Sequence, residues 1–398
     1  TDLPLETDEV VYGKGAKRAV PEKEVLLSHL AKKVKVLQVA KPVMLEKLAE
    51  HGQSELLFDM ELPLANVLAK MEIAGIKVKG QTLNEMAVEN QVVIDKLTQE
   101  IYEMAGEEFN INSPKQLGVI LFEKMGLPLE YTKKTKTGYS TAVDVLERLA
   151  PIAPIVAKIL EYRQITKLQS TYVLGLQDYI LEDGKIHTRY VQDLTQTGRL
   201  SSVDPNLQNI PVRLEQGRLI RKAFVPSTED AVLLSSDYSQ IELRLLAHIA
   251  GDETMINAFL SGEDIHASTA SAVFGVPLSA VTPELRKRAK AVNFGIVYGI
   301  GDYSLSVDLG ITKKQAGEYI ANYLARFHAI DSYLKDTVRM AYDHGFVETI
   351  FGRRRYIPEL KASNKMMRSF GERVAMNSPI QGSAADIIKI AMVNTRNA

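Results

Sequence analysis

Between Gly184 and Arg213 the chain reads "GKIHTRYVQDLTQTGRLSSVDPNLQNIPVR". This stretch is so rich in Gly, Pro, Asn and Ser that no helix can run through it, and its many amide and hydroxyl groups need partners in short extended segments and turns. Apolar residues recur at helical spacing before it and again after Leu233. The chain therefore divides into a helical arm, a mixed α/β centre and a second helical lobe: an α+β fold, mostly α. With 398 residues it exceeds one compact core of ordinary size and holds two or three domains.

The helical pattern of Val25, Leu26, Leu30 and Val34 reads as the tail of a domain whose beginning is missing, and a start without Met reads as a cut chain. From Leu56 to Met104 the spacing is helical, broken at "AGIKVKG", where Gly75 and Gly80 bracket a short extended piece. Ser113 and Pro114 form an N-cap and first helical residue, with Gly126 as the stop. "YTKKTKTGYSTAVDVLERLAP" is a basic turn followed by another capped helix, so the arm ends in a positive tip.

The absence of cysteine excludes disulfides and thiolate metal sites and suits a reducing cytosol. No apolar run is long enough to cross a bilayer, and the opening "TDLPLETDEV" is acidic where a signal peptide would be basic. A net charge of −1, spread evenly, would argue against a polyanion partner. The charge is uneven, however. Lys133, Lys134 and Lys136 stand together without an acid, and "GRRRYIPELKASNKMMRSFGER" carries seven basic residues against two acidic ones.

In "LLSSDYSQIELRLLAHIA" one carboxylate, Asp237, lies between an apolar run expected as a strand and an amphipathic run expected as a helix. An Asp leaving a strand end is well placed to hold Mg²⁺, which prefers carboxylate oxygens; the plainer reading is an Asp closing a turn. Ser239 and Glu242 have the spacing of a capping box, which explains Glu242 by local structure alone.

"TPELRKRAKAVNFGIVYG" starts a helix at Thr282 and Pro283, and Gly299 can end it. Arg286, Lys290, Phe294 and Tyr298 follow at intervals of four, giving one face of cation, cation, ring, ring. Arg286 and Phe294 are roughly 12 Å apart along the axis, a span comparable to a nucleotide from outer phosphate to base. Two cations suit a triphosphate and a ring offers a base a stacking surface. The alternative is a core stripe with snorkelling basic residues. His266 falls in the first turn of a helix capped by Asp264, where an exposed ring is the ordinary outcome. Asn377 and Gln381, four apart on another helix, can face one groove together.

Occurring in this order, "SDYSQIELRLLAHIAGD" and "RKRAKAVNFGIVYGI" resemble motifs A and B of the family A DNA polymerases, and "TQTGRLSSVDPNLQNIPVR" and "NSPIQGSAADIIK" match two more of that family's segments. Including "FNINSPKQLGVILFEK", the resemblance runs end to end and is to the Klenow-like large fragment of bacterial, Bacillus-like members. It implies a right-hand architecture: residues 1–50 as the tail of a 3′–5′ exonuclease-like domain, 51–185 as thumb with a palm-base helix, 186–250 as the first, antiparallel part of the palm, 251–370 as fingers and 371–398 as a palm helix. It also implies template-directed addition of deoxynucleotides to a primer 3′ end with two Mg²⁺ ions, primer–template DNA and deoxynucleoside triphosphates as partners, a monomer, and a cytoplasmic, nucleoid-associated location without membrane contact.

The same resemblance assigns residues. Asp237 and the carbonyl of Tyr238 would hold metal. Arg286, Lys290 and His266 would hold the triphosphate, with Lys290 the acid toward the leaving pyrophosphate. Phe294 and Tyr298 would border the nascent pair, Gln240 would line the nucleotide site and Glu242 would exclude a ribose 2′-OH. Arg199, Asn377 and Gln381 would read the minor groove, Gln208 and Asn209 would touch DNA, and the Lys133–Lys134–Lys136 tip would grip the backbone.

Two departures from the family stand out. Its second metal carboxylate lies in a His-Asp-Glu motif that occurs nowhere in this chain, and the substitutes in the sequence are Glu242 and Asp386. Two ions about 3.5–4 Å apart need both carboxylates, so the fragment is expected to be impaired and to leave an apolar palm surface uncovered. Second, "LLSHLAKKVKV" carries no acid where proofreading relatives have one, so no exonuclease is expected. Two alternatives compete: a non-catalytic primer–template binding fragment, and a single-subunit RNA polymerase, against which Glu242 and Phe294 argue.

Overall fold

The computed structural model describes residues 5–136, 138–211 and 215–397. Asp2 of the acidic opening, Thr137 of the basic turn, and Val212 and Arg213 of the extended stretch lie outside them. Two compact units emerge, one of Leu68–Val191 and Ser201–Ser236, the other of Thr1–Val67, Gln192–Leu200 and Asp237–Ala398.

The first unit is built on the helices Gly80–Ala105 and Pro154–Leu168. Along one face of the former, Leu97 and Ile101 pack with Leu117, Leu121, Leu146, Leu149, Val156 and Ile159, all almost fully buried. Ser113 accepts from Gln116 N and Pro114 begins the next helix, as its sequence dictates. The basic tip is a hairpin in which β2 (Lys134–Thr135) pairs with β3 (Gly138–Tyr139), and Lys134 Nζ lies 5.5 Å from the Tyr139 ring centre. Val143–Leu149 follows, but Ala142 precedes it and no side chain caps it, contrary to expectation.

The expected extended piece is β1 (Ile76–Val78), the middle strand of a sheet between β4 (Lys185–Ile186) and β7 (Phe224–Val225), with Ile76 opposite Ile186 and Lys77 opposite Val225. Beside it β5 (Arg189–Val191) pairs with β6 (Ser201–Val203). The hydroxyls of this region find their partners at close range. Thr188 Oγ1 meets Ser202 Oγ at 2.6 Å, and Ser202 Oγ accepts from Leu207 N at 3.1 Å.

In the second unit, Lys23–Glu50 is a long helix with only His29 buried, and Asp8 accepts hydrogen bonds from Lys33 and pairs with His29. Its core is shared by Ile241–Ala250, Ile265–Phe274, Pro283–Val297, His328–His344 and Lys365–Asn397 through Leu243, Leu246, Ile265, Val292, Ile296, Ile330 and Ile380. A hairpin of β8 (Phe346–Glu348) and β9 (Arg354–Tyr356) lies against the last helix. No helix among the described residues is long and apolar enough to cross a membrane.

One expected element is absent. Residues 231–238 are exposed and belong to no strand among the described residues, with Leu234 93% exposed. An extended apolar run becomes a strand only when a neighbour satisfies its backbone groups, and no described strand pairs with it. Val232 and Leu233 beside it are exposed as well.

Candidate active site

Thr282 caps the Pro283–Val297 helix by accepting from Leu285 N at 3.2 Å. Its Ala289, Val292, Ile296 and Val297 side is buried, which turns Arg286, Lys290 and Tyr298 outward and leaves Phe294 half-buried. The cation–ring face is thus distinct from the core stripe of the same helix. Lys290 Nζ stands 5.8 Å from the Phe294 ring centre, within reach of a cation–π attraction.

Arg286 is held from the neighbouring helix. Asp264 caps Ile265–Phe274 by accepting from His266 N at 3.0 Å and Ala267 N at 3.2 Å, and its other oxygen accepts from Arg286 Nε at 2.5 Å. Burial opposes ionisation of Asp264, but the hydrogen bond from Arg286 and the helix amides outweigh it and lower its pKa. His266 is buried, not exposed as its position suggested. Asn293 Nδ2 lies 3.1 Å from its Nδ1, and its ring centre is 6.1 Å from that of Phe294. Burial, followed by the positive charges of Arg286 and Lys290, lowers its pKa against the opposing pull of Asp264. A neutral imidazole can therefore serve here as a hydrogen-bonding group without adding a third charge.

The Ile241–Ala250 helix starts differently from its sequence signature. Gln240, at φ 54°, takes the N-cap position with no side-chain cap, so the Ser239–Glu242 box does not form. Glu242 is instead buried and accepts from Arg199 at 2.5 Å and from Tyr298 Oη at 3.0 Å. Charge-assisted bonds of this kind outweigh a local backbone cap. Burial, then the charge of Glu242, raises the Tyr298 pKa and keeps the phenol a donor. The same bond ties the end of the cation–ring helix to the start of the helix that Asp237 precedes.

Asp237 and Tyr238 are exposed just before that helix. Asp237 stands four positions before Ile241, at most about 14 Å of extended chain. Of the two substitute metal ligands, neither is available. Glu242 is engaged as described, and Asp386 is fully buried, its Oδ1 accepting from Arg353 Nε and its Oδ2 from Thr349 Oγ1, each at 2.8 Å. Among the described residues no group of three His, Asp or Glu side chains is arranged to hold a metal ion. Asp237 fits as one ligand of a divalent cation; the described residues do not complete a two-ion site.

Sequence reasoning missed the ionic cluster around Asp386. Arg353 also donates to Glu61, and Lys389, 1% exposed, donates to Glu61 at 2.7 Å. Burial works against the Glu61 carboxylate, but Lys389 and Arg353 more than offset it and lower its pKa; burial lowers that of Lys389. The three-residue step from Asp386 to Lys389 was a faint signal, since an interior helix position seldom carries either charge unpaired.

The expected DNA-contacting residues divide between the units. Arg199, Asn377 and Gln381 belong to the second, where Asn377 Nδ2 approaches Val297 O at 3.4 Å and Gln381 is half-buried. Gln208, Asn209, Lys133, Lys134 and Lys136 belong to the first; both amides are exposed, and the Asn209 carbonyl accepts from Tyr172 at 2.6 Å.

The family model "DNA polymerase family A" matches residues 80–398, and "DNA polymerase I, ribonuclease H-like domain" matches residues 2–39. DNA polymerase I of Streptococcus pneumoniae serotype 4 is 69% identical over 99% of this chain and 45% of its own length, and that of Bacillus subtilis is 56% identical over 98% and 44%. The chain therefore spans a little under half the length of these relatives. A solved structure, described as the POL domain of Pol1 from M. smegmatis in complex with DNA primer-template and dNTP, superposes with a TM-score of 0.86 at 41% identity, covering 95% of this chain and 66% of that one. The fold is accordingly the expected right-hand polymerase type, mostly α, and the chain belongs to DNA polymerase family A.

Proposed function

We propose that the intact protein is a template-directed DNA polymerase that adds deoxynucleotides to a primer 3′ end, and that this chain supplies its thumb, its fingers and part of its palm within the boundaries expected from the sequence. The observation that carries the reading is the Glu242–Tyr298 hydrogen bond, which joins the end of the cation–ring helix to the element following Asp237. A nucleotide along that helix meets Arg286 and Lys290 at its phosphates, and Phe294 and Tyr298 at its base. Phosphoryl transfer depends mainly on such positioning and charge neutralisation. His266 donates or accepts a hydrogen bond at the phosphates as a neutral ring. Lys290 is the proton donor toward the leaving pyrophosphate. Glu242, held rigidly by Arg199 and Tyr298, closes the space a 2′-OH needs, and Gln240 borders the same site.

Family A DNA polymerases use divalent metal ions. Asp237 and the Tyr238 carbonyl are the residues that would hold Mg²⁺, which when bound offsets charge on the transferring phosphate. Primer–template DNA and deoxynucleoside triphosphates, the two partners in the M. smegmatis complex, are the proposed partners of this protein as well. Arg199, Gln208, Asn209, Asn377 and Gln381 contact the duplex, and the lysine tip contacts its backbone. We further infer a monomer working in the bacterial cytoplasm on nucleoid DNA. Primer extension by the intact protein tests this reading: Arg286→Ala or Lys290→Ala should lower kcat/KM for every deoxynucleotide by about 100-fold or more, and wild-type rates in both would overturn it. For the 398 residues alone a second reading, primer–template binding with little incorporation, is favoured because Glu242 and Asp386 are both engaged elsewhere.

A further inference from the structure

Arg353 has no part in the chemistry above, yet its surroundings tie it to the nucleotide site. Its side chain, 18% exposed, is fixed through the guanidinium by Asp386 at 2.8 and 2.7 Å and by Glu61. With Lys389 on Glu61 and Thr349 on Asp386, two cations meet two carboxylates, so the cluster is neutral as a whole and its burial is tolerable. Against this surface lies the 195–199 turn. Gly198 has φ +82°, and a Cβ there would stand 2.7 Å from Arg353 Nε and 2.9 Å from its Cδ. The other side of the turn is equally confined. A Cβ on Gly382, next to Gln381, would come within 3.2 Å of Thr197 O and 2.6 Å of Thr349 Cγ2. Within the turn, Thr195 Oγ1 donates to Arg199 O at 2.6 Å. Arg199 therefore leaves a backbone with little room to shift, and its guanidinium reaches Glu242.

We propose that Arg353 is a positioning residue for sugar selection: anchored by Asp386 and Glu61, it is the floor on which the 195–199 turn rests, and through Arg199 it sets the Glu242 carboxylate. This rests on the reading of Glu242 as the group that excludes a ribose 2′-OH. Selection between deoxy- and ribonucleotides then depends on a side chain that touches neither.

The test is the deoxy-to-ribo ratio of kcat/KM, measured on the intact protein for Arg353→Lys, Gly198→Ala, Glu242→Ala and Arg199→Ala, and for Arg353→Lys combined with Arg199→Ala. Lys keeps the charge of Arg353 and loses its planar fork. Gly198→Ala removes no charge from the ionic cluster and presses on Arg353 from the side of the turn, so it decides the matter if Arg353→Lys does not fold. Each should lower the ratio about tenfold, the scale of a sub-ångström misplacement. Adding Arg353→Lys to Arg199→Ala should lower it no further. An unchanged ratio in both variants while Glu242→Ala lowers it, or an undiminished effect of Arg353→Lys without Arg199, overturns the positioning role alone. An unchanged ratio in Glu242→Ala overturns the sugar-gate reading, and this proposal with it.

Discussion

Glu242 sits in the first turn of its helix, where free N–H groups favour a carboxylate, yet its oxygens turn to Arg199 and Tyr298. Removing the phenol oxygen in Tyr298→Phe takes away one donor and leaves the other; because Tyr298 is 41% exposed, the expected loss is about 1 kcal/mol in urea unfolding. Asp386→Ala is a harsher change, since it strands Arg353 in a buried place, and should cost about 3–5 kcal/mol in the same measurement. His266 carries a pH dependence whose sign is fixed by its lowered pKa. The folded chain disfavours its charged form, so its contribution is present above the unfolded value of 6.5 and is lost as pH falls from there to the lower folded value. Thermal unfolding between pH 7.5 and pH 5 should show less destabilisation in His266→Gln than in the wild type. None of these three environments was legible from neighbouring residues. Glu242 offered a capping pattern, His266 an exposed turn and Asp386 a spare ligand, because these hydrogen-bond partners lie 27 or more residues away: Asn293 is 27 from His266, Arg353 is 33 from Asp386 and Arg199 is 43 from Glu242.

The elements whose ends are decided by local chemistry are those the sequence describes best. Thr282 with Pro283, Asp264, and Ser113 with Pro114 all cap the helices expected of them, since a capping bond spans only three or four residues. Thr282→Ala should accordingly cost about 1 kcal/mol in urea unfolding, with the cation–ring face unchanged. The 231–238 segment behaves oppositely. Its apolar run has the composition of a strand, but a strand exists only in a ladder, and no described strand pairs with this one. By contrast β1, three residues long, does form because β4 and β7 flank it.

For the whole molecule, a net charge of −1 conceals a separation of charge that bears on DNA binding. If Lys133, Lys134 and Lys136 contact phosphates, replacing all three by Ala should reduce the slope of log affinity against log salt by up to about 3, measured by anisotropy with a labelled primer–template. The 398 residues alone should bind that DNA yet extend the primer far more slowly than the intact protein with Mg²⁺ and four deoxynucleotides, because one open carboxylate does not hold two ions; equal rates would contradict this. The family, the helix-rich fold class, the cation–ring face and most helix starts could be read without coordinates, because each is written in contiguous residues by period, capping and motif. Which carboxylates are free, which histidine has its pKa lowered by burial, and that Arg353 underlies the turn bearing Arg199 were decided only by tertiary structure. These depend on burial and on charges brought together from distant parts of the chain, and electrostatic interactions become decisive only where such packing excludes water.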